Sequence, residues 1–193
     1  NEVKAILKYL YKLRADNPDT GGYAYKAQTR DIAVVELLFA TGIRVSELCE
    51  LSCDAVDLKQ ATIKVFGKGS KERVIQICSV EVLKILRQYQ RLFAPSKCFF
   101  INRLGNRLSS KSVRLLIKRC REEIGIGKKI TPHTFRHTFA TLLLEEDVDI
   151  KYIQNLLGHS SITTTQIYTH VNMNKQKKIL SSKHPRKKME MEE

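Results

Sequence analysis

A chain of 193 residues is long enough for one domain with its own core, and at 42% hydrophobic it is not a disordered sequence. Lys and Arg total 34 against 20 Asp and Glu, a formal charge of +14; seven basic and three acidic residues lie in 169–193, so the rest still carries 27 basic against 17 acidic. A body this basic favours a polyanionic partner, nucleic acid ahead of an acidic membrane, over the bland alternative of a merely soluble basic protein. No apolar run can span a bilayer and no signal peptide is visible at Asn1, whose place at the start, without Met, predicts a fragment of a longer chain. Cys49, Cys53, Cys78, Cys98 and Cys120 are odd in number and form no CxxC pair. They predict reduced thiols in a cytoplasmic protein rather than a disulfide framework or a zinc site.

In chain order, Val3, Ile6, Leu7, Leu10 and Leu13 give an amphipathic helix over 2–14. Asp16-Asn17-Pro18-Asp19 and Gly21-Gly22 mark a loop over 15–26. A helix from about Thr29 to Thr41 is apolar nearly all round, so it is expected at the centre, with Gly42 ending it. A short helix carries Ser46 to Leu51. Residues 61–77 read as a β-hairpin: Ile63, Val65 and Phe66, then a turn at Gly67-Lys68-Gly69-Ser70-Lys71, then Val74, Ile75 and Ile77. A helix over 80–93, a short strand at 98–101 and a turn at 103–106 follow. Ser109 or Ser110 caps a basic, amphipathic helix ending near Glu123, whose charged side could face DNA or only solvent. Thr131 and Pro132 open another helix, and Asp149 caps a last apolar one that Gly158 stops. A short helix at 172–180 precedes a tail expected to be mobile. The sum is a mainly α chain with a small antiparallel β-sheet, an α+β fold.

Several polar residues stand out. Arg44 follows the Gly42 break, with Glu47 one turn on to orient it; the bland reading is a surface pair of little energetic worth. Lys68 lies between two glycines, which leave an ammonium room to approach a ligand, although a turn lysine alone is usually only solvated. His133 and Arg136 are i and i+3 on one helical face. His159 follows a helix end, and Tyr168 closes a polar Thr163-Thr164-Thr165-Gln166 run. Each alone is unremarkable: a His near a helix start is more often a surface residue, and a Tyr more often packs.

Together they make sense around one phosphate. Arg44 and Arg136 can each grip phosphate oxygens bidentately. Lys68 and His133 can move protons, His159 can donate a hydrogen bond, and Tyr168 supplies an oxygen nucleophile for a covalent step. A phenol with a pKa of about 10 is roughly 0.1% ionised at neutral pH, so it needs cations or a base beside it. Clustered carboxylates that would hold Mg²⁺ are missing from the sequence pattern, Asp54 and Asp57 being the nearest approach, so no metal or other cofactor is expected.

These motifs resemble the catalytic domain of the tyrosine recombinase (phage-integrase-type) family. Thr41-Gly42-Ile43-Arg44-Val45-Ser46-Glu47-Leu48 resembles its first arginine box, and Gly67-Lys68-Gly69-Ser70-Lys71-Glu72-Arg73 its hairpin lysine. His133-Thr134-Phe135-Arg136-His137 is similar to its HxxR box. Leu157-Gly158-His159-Ser160-Ser161 and Thr164-Thr165-Gln166-Ile167-Tyr168-Thr169-His170 resemble its final box and nucleophile.

The resemblance implies a site-specific recombinase or integrase acting on double-stranded DNA. Tyr168 would form a 3′-phosphotyrosyl bond and free a 5′-hydroxyl, Lys68 would protonate that oxygen, and Arg44 and Arg136 would clamp the phosphate. His133 would assist proton transfer, His159 would hydrogen-bond the phosphate, and Glu47 would support the site from behind. Neither metal nor ATP would be needed. The resemblance further implies a catalytic domain over 1–171, a C-terminal helix and tail over 172–193 that docks on a neighbouring subunit of a tetramer on DNA, and a separate N-terminal DNA-clamping domain. Phage integration, a conjugative or other mobile element, and chromosome-dimer resolution all fit. Two other readings compete: a type IB topoisomerase, and a DNA-binding module without enzymatic activity.

Overall fold

The computed structural model describes residues 2–67, 72–93, 97–158, 177 and 179–188. Helix α1 (Glu2–Ala15) buries Val3, Ile6, Leu7 and Leu10, one stripe at helical spacing, against α2 (Tyr23–Thr41). Helix α2 starts six residues before the expected Thr29. The Asp19 carboxylate accepts the backbone N–H groups of Gly21 and Gly22, closing the turn just ahead of Tyr23. Gln88 then donates to the Tyr25 hydroxyl at 2.9 Å. Those first turns are half exposed, so no apolar run announces them. From Thr29 to Thr41 every residue but Arg30 is buried, and α2 packs on α1, α4 and α6 as the central helix.

Gly42 ends α2 in the left-handed region, φ +61°. A Cβ there would lie 2.7 Å from both Leu157 Cδ2 and Phe139 Cδ1, so only glycine fits the turn and the contact together. Helix α3 (Val45–Glu50) follows, and a 3₁₀ turn at Cys53–Ala55 leads into the sheet. The expected hairpin forms: β2 (Thr62–Phe66) pairs antiparallel with β3 (Glu72–Gln76), with Val65 opposite Arg73 and Ile63 opposite Ile75. Strand β1 (Val56–Asp57) adds a third, antiparallel edge to β2. Two residues are too few to show an alternating pattern, so the sequence reading missed it.

Helix α4 (Val80–Leu92) is capped by Ser79, whose side chain accepts from Val82 N–H. The strand expected at 98–101 is not one. Cys98 and Ile101 each make a single bridge, to Ser52 and Arg107. Between them Phe99 and Phe100 are both buried, and the Tyr89 hydroxyl donates to the Phe99 carbonyl and accepts from Ile101 N–H. That buried hydroxyl satisfies backbone groups a ladder would otherwise take. Helices α5 (Ser110–Glu123), α6 (Pro132–Leu144) and α7 (Ile150–Leu157) match their expected caps: Ser109, Thr131 with Pro132, and Asp149. Gly158 terminates α7 with φ +65°.

Two apolar clusters result. The larger lies among α1, α2, α4, α5 and the sheet. The smaller joins Phe139, Leu143, Val148, Ile153, Leu156 and Leu157 with Leu180. Residues 177 and 179–183 are helical and 185–188 form a 3₁₀ turn, packed on this chain's own α2 and α6. His184 and Arg186, expected in a mobile tail, are therefore 2% and 7% exposed. Arg186 donates to Glu36 at 3.2 Å, and Tyr11 donates to the same carboxylate at 2.9 Å. Glu36 is fully buried in the apolar stretch of α2 and needs a cation there. The remaining tail, 189–193, lies outside the described residues. Among the described residues no helix is long and apolar enough to cross a membrane.

Candidate active site

Arg44 is the extended residue just before α3, held by the Gly42 turn on one side and the helix on the other. Its side chain is 38% exposed, while that of Glu47 is only 4% exposed. Glu47 Oε2 accepts the backbone N–H of Arg44 at 2.8 Å, and Oε1 accepts Nη1 of the Arg44 guanidinium at 3.0 Å. A second guanidinium completes the carboxylate: Arg73 Nη1 donates to Oε1 at 3.0 Å and Nη2 to Oε2 at 2.7 Å. Four donors thus fill both oxygens of a buried carboxylate. This is not the weak surface pair that the bland reading offered. Burial pushes the Glu47 carboxyl up, but the hydrogen bonds and charges from Arg73 and Arg44 outweigh it and hold it below its ordinary value.

Arg136 reaches the same place from α6. Its Nη1 donates to the Gly42 carbonyl and its Nη2 to the Leu157 carbonyl, both at 2.7 Å. Arg44 Nη2 donates to the next carbonyl, Gly158, at 3.3 Å. The two guanidiniums converge on the carbonyl end of α7, where the helix dipole is negative. Residues 114 apart in sequence, Arg44 and Gly158, are in contact, and the next residue in the chain is His159. The Arg136 guanidinium is lowered to about 10, by burial first and then by repulsion from Arg44 and Arg73, with Glu47 opposing. Three guanidiniums around one carboxylate leave a formal surplus of two positive charges. An anion placed there would relieve the repulsion that Arg136 feels.

His133 lies on the first turn of α6, three residues before Arg136, and is exposed. Lys68, His159 and Tyr168 lie outside the described residues. The structure therefore brings Arg44, Glu47 and Arg136 together, with His133 on the helix that carries Arg136. The basic helix α5 buries Val113, Leu116, Ile117 and Cys120 and exposes Lys111, Arg114 and Lys118 on other faces.

Arg73 was not singled out from the sequence. A signal existed: it alternates with Ile75, which is buried, and it opposes buried Val65, so it faces inward on β3. An arginine on the inner face of a strand needs a buried acceptor, and Glu47 is it.

A family model of the phage integrase family matches residues 1–175. A tyrosine recombinase of Agathobacter rectalis is 51% identical over 189 residues, covering 96% of this chain and 61% of the relative. The tyrosine recombinase XerC of Thermodesulfovibrio yellowstonii is 45% identical over 165 residues, covering 81% of this chain and 55% of the relative. The chain thus spans a little over half the length of these curated relatives. Among solved structures, a XerA recombinase superposes with a TM-score of 0.67 at 33% identity, over 93% of this chain and 63% of that one. Because the family match runs through α3, β3 and α6, the elements that carry the three arginines, the chain belongs to the phage integrase family of tyrosine recombinases.

Proposed function

We propose that this chain cuts and rejoins double-stranded DNA as the catalytic part of a site-specific recombinase, through a covalent link to Tyr168. One observation carries the reading: Arg44 and Arg136, from the start of α3 and from α6, meet at the consecutive carbonyls of Leu157 and Gly158. That cluster is built for an anion whose charge grows during reaction.

In the proposed step the Tyr168 oxygen attacks a backbone phosphorus, forming the phosphotyrosyl bond as the bond to the 5′-oxygen breaks. The phenolic proton leaves with help from His133, and Lys68 delivers a proton to the departing 5′-oxygen. Arg44 and Arg136 hold the non-bridging oxygens, with His159 as a further donor. The phosphotyrosine conserves the bond energy, so attack by another strand's 5′-hydroxyl reverses the chemistry without ATP. Residues 1–171 are the proposed catalytic domain and double-stranded DNA the partner. Assembly into a tetramer on DNA is also proposed, in which the segment after Tyr168 would dock on a neighbouring subunit.

The test is covalent trapping. The chain is incubated with a library of nicked duplexes, denatured, and protein-linked ends are sequenced. The wild type is expected to yield a discrete adduct and Tyr168→Phe none. An adduct that survives in the Phe variant would refute the assignment. DNA binding with no adduct at all would point instead to a module that only binds.

A further inference from the structure

We propose that Arg73 is a positioning residue of the strand-cleavage step, acting through Glu47 to keep the Arg44 guanidinium available to the phosphate. The inference rests on the phosphotyrosyl reading given above.

Glu47 and Arg44 stand i and i+3 at the start of α3 and would meet without help. A second arginine from 26 residues away is not required to neutralise Glu47, yet Arg73 takes the bidentate position on the carboxylate, one nitrogen to each oxygen. Arg44 is left with one guanidinium nitrogen on Glu47 and the other, Nη2, turned to the Gly158 carbonyl. Remove Arg73, and the buried carboxylate has one guanidinium left to answer it. Glu47 then draws both Arg44 nitrogens inward, and the surplus of the cluster falls from two positive charges to one. A phosphate gaining charge in the transition state meets a weaker and misdirected clamp.

Arg73 is itself poorly placed to touch DNA. Its side chain is 16% exposed, and its guanidinium lies where a Gly158 Cβ would come within 2.7 Å of it. Its Nε is buried and has no hydrogen-bond partner among the described residues. It lies on β3, and its guanidinium packs against Gly158 at the end of α7. It therefore ties β3, the start of α3 and the end of α7 to one carboxylate.

The experiment uses the full chain and a nicked duplex selected by the wild type, with single-turnover cleavage followed by denaturing electrophoresis. R73A is expected to lower the rate at saturating DNA by roughly 10–100-fold, while the half-saturating DNA concentration moves by less than about threefold. Combined with Glu47→Ala, the loss is expected to be smaller than the product of the two single losses, because both act on one contact. On the same duplex with a methylphosphonate at the cleaved position, one negative charge is gone, so the R73A deficit should shrink. A merely structural role would leave that deficit unchanged. If melting shows R73A unfolded, R73K replaces it, since it keeps the charge but cannot span both carboxylate oxygens.

Wild-type cleavage by the Arg73 variant, multiplicative losses, or an equal deficit on both substrates would overturn this inference alone. A wild-type chain that forms no adduct with any duplex would overturn the reading beneath it.

Discussion

Glu47 sets the character of the site more than any cation does. Its folded pKa lies below its ordinary value, so its stabilising contribution is complete above the usual carboxylate range and is lost as pH falls through the folded pKa. Urea unfolding between pH 7 and pH 3 is therefore expected to show a shallower acid loss in Glu47→Gln than in the wild type; equal slopes would mean that the carboxylate is not coupled to folding. Arg136→Ala is expected to slow cleavage by roughly 10²–10³-fold, by analogy with the loss of one oxyanion donor. Wild-type rates there would remove it from the clamp. Gly42 is the structural counterpart. Gly42→Ala forces a left-handed alanine against Phe139 and Leu157, and at about 1–3 kcal/mol for overpacking plus about 1–2 kcal/mol for the backbone it should lower the urea midpoint clearly.

At the level of elements, the design is two helix ends held against each other. Arg136 bridges the C-terminal carbonyls of α2 and α7, and the smaller apolar cluster packs beneath them. The segment 179–188 closes that cluster through Leu180 and locks onto α2 through Arg186 and Glu36. Arg186→Ala would leave Glu36 buried without its cation, and is expected to destabilise the fold by about 3–5 kcal/mol in urea unfolding. A change under 1 kcal/mol would mean the segment is only loosely seated. The helices were legible because their signals are local: apolar spacing, Ser109 and Asp149 at the starts, Gly42 and Gly158 at the ends. The early start of α2, the two-residue β1 and the collapse of the 98–101 strand were not, because each depends on a partner from elsewhere in the chain. Gln88 steadies Tyr25, β2 offers β1 an edge, and Tyr89 takes the backbone groups near Phe99.

For the molecule as a whole, the positive charge belongs to the folded body as well as the tail. Binding to a DNA duplex should therefore weaken steeply with salt, with log affinity linear in log salt concentration. A protein neutralising several phosphates loses roughly 10³-fold or more between 50 and 200 mM salt. Filter binding or anisotropy across that range checks it, and a flat profile would argue against a phosphate-dominated interface. The sequence by itself determined the helical pattern with its small sheet, the basic surface, and the family motifs, all of them carried by short stretches read in isolation. It also marked Arg44, Glu47 and Arg136 as belonging together. Only the tertiary structure decided that Arg73 shares Glu47, that α7 ends under two guanidiniums, and that Arg186 is buried against Glu36. Arg73 and Glu47, Arg44 and Gly158, and Arg186 and Glu36 stand 26, 114 and 150 residues apart, and no periodicity links residues so distant. What joins them is the cost of burying a charge without a partner, which is settled only once the chain has packed.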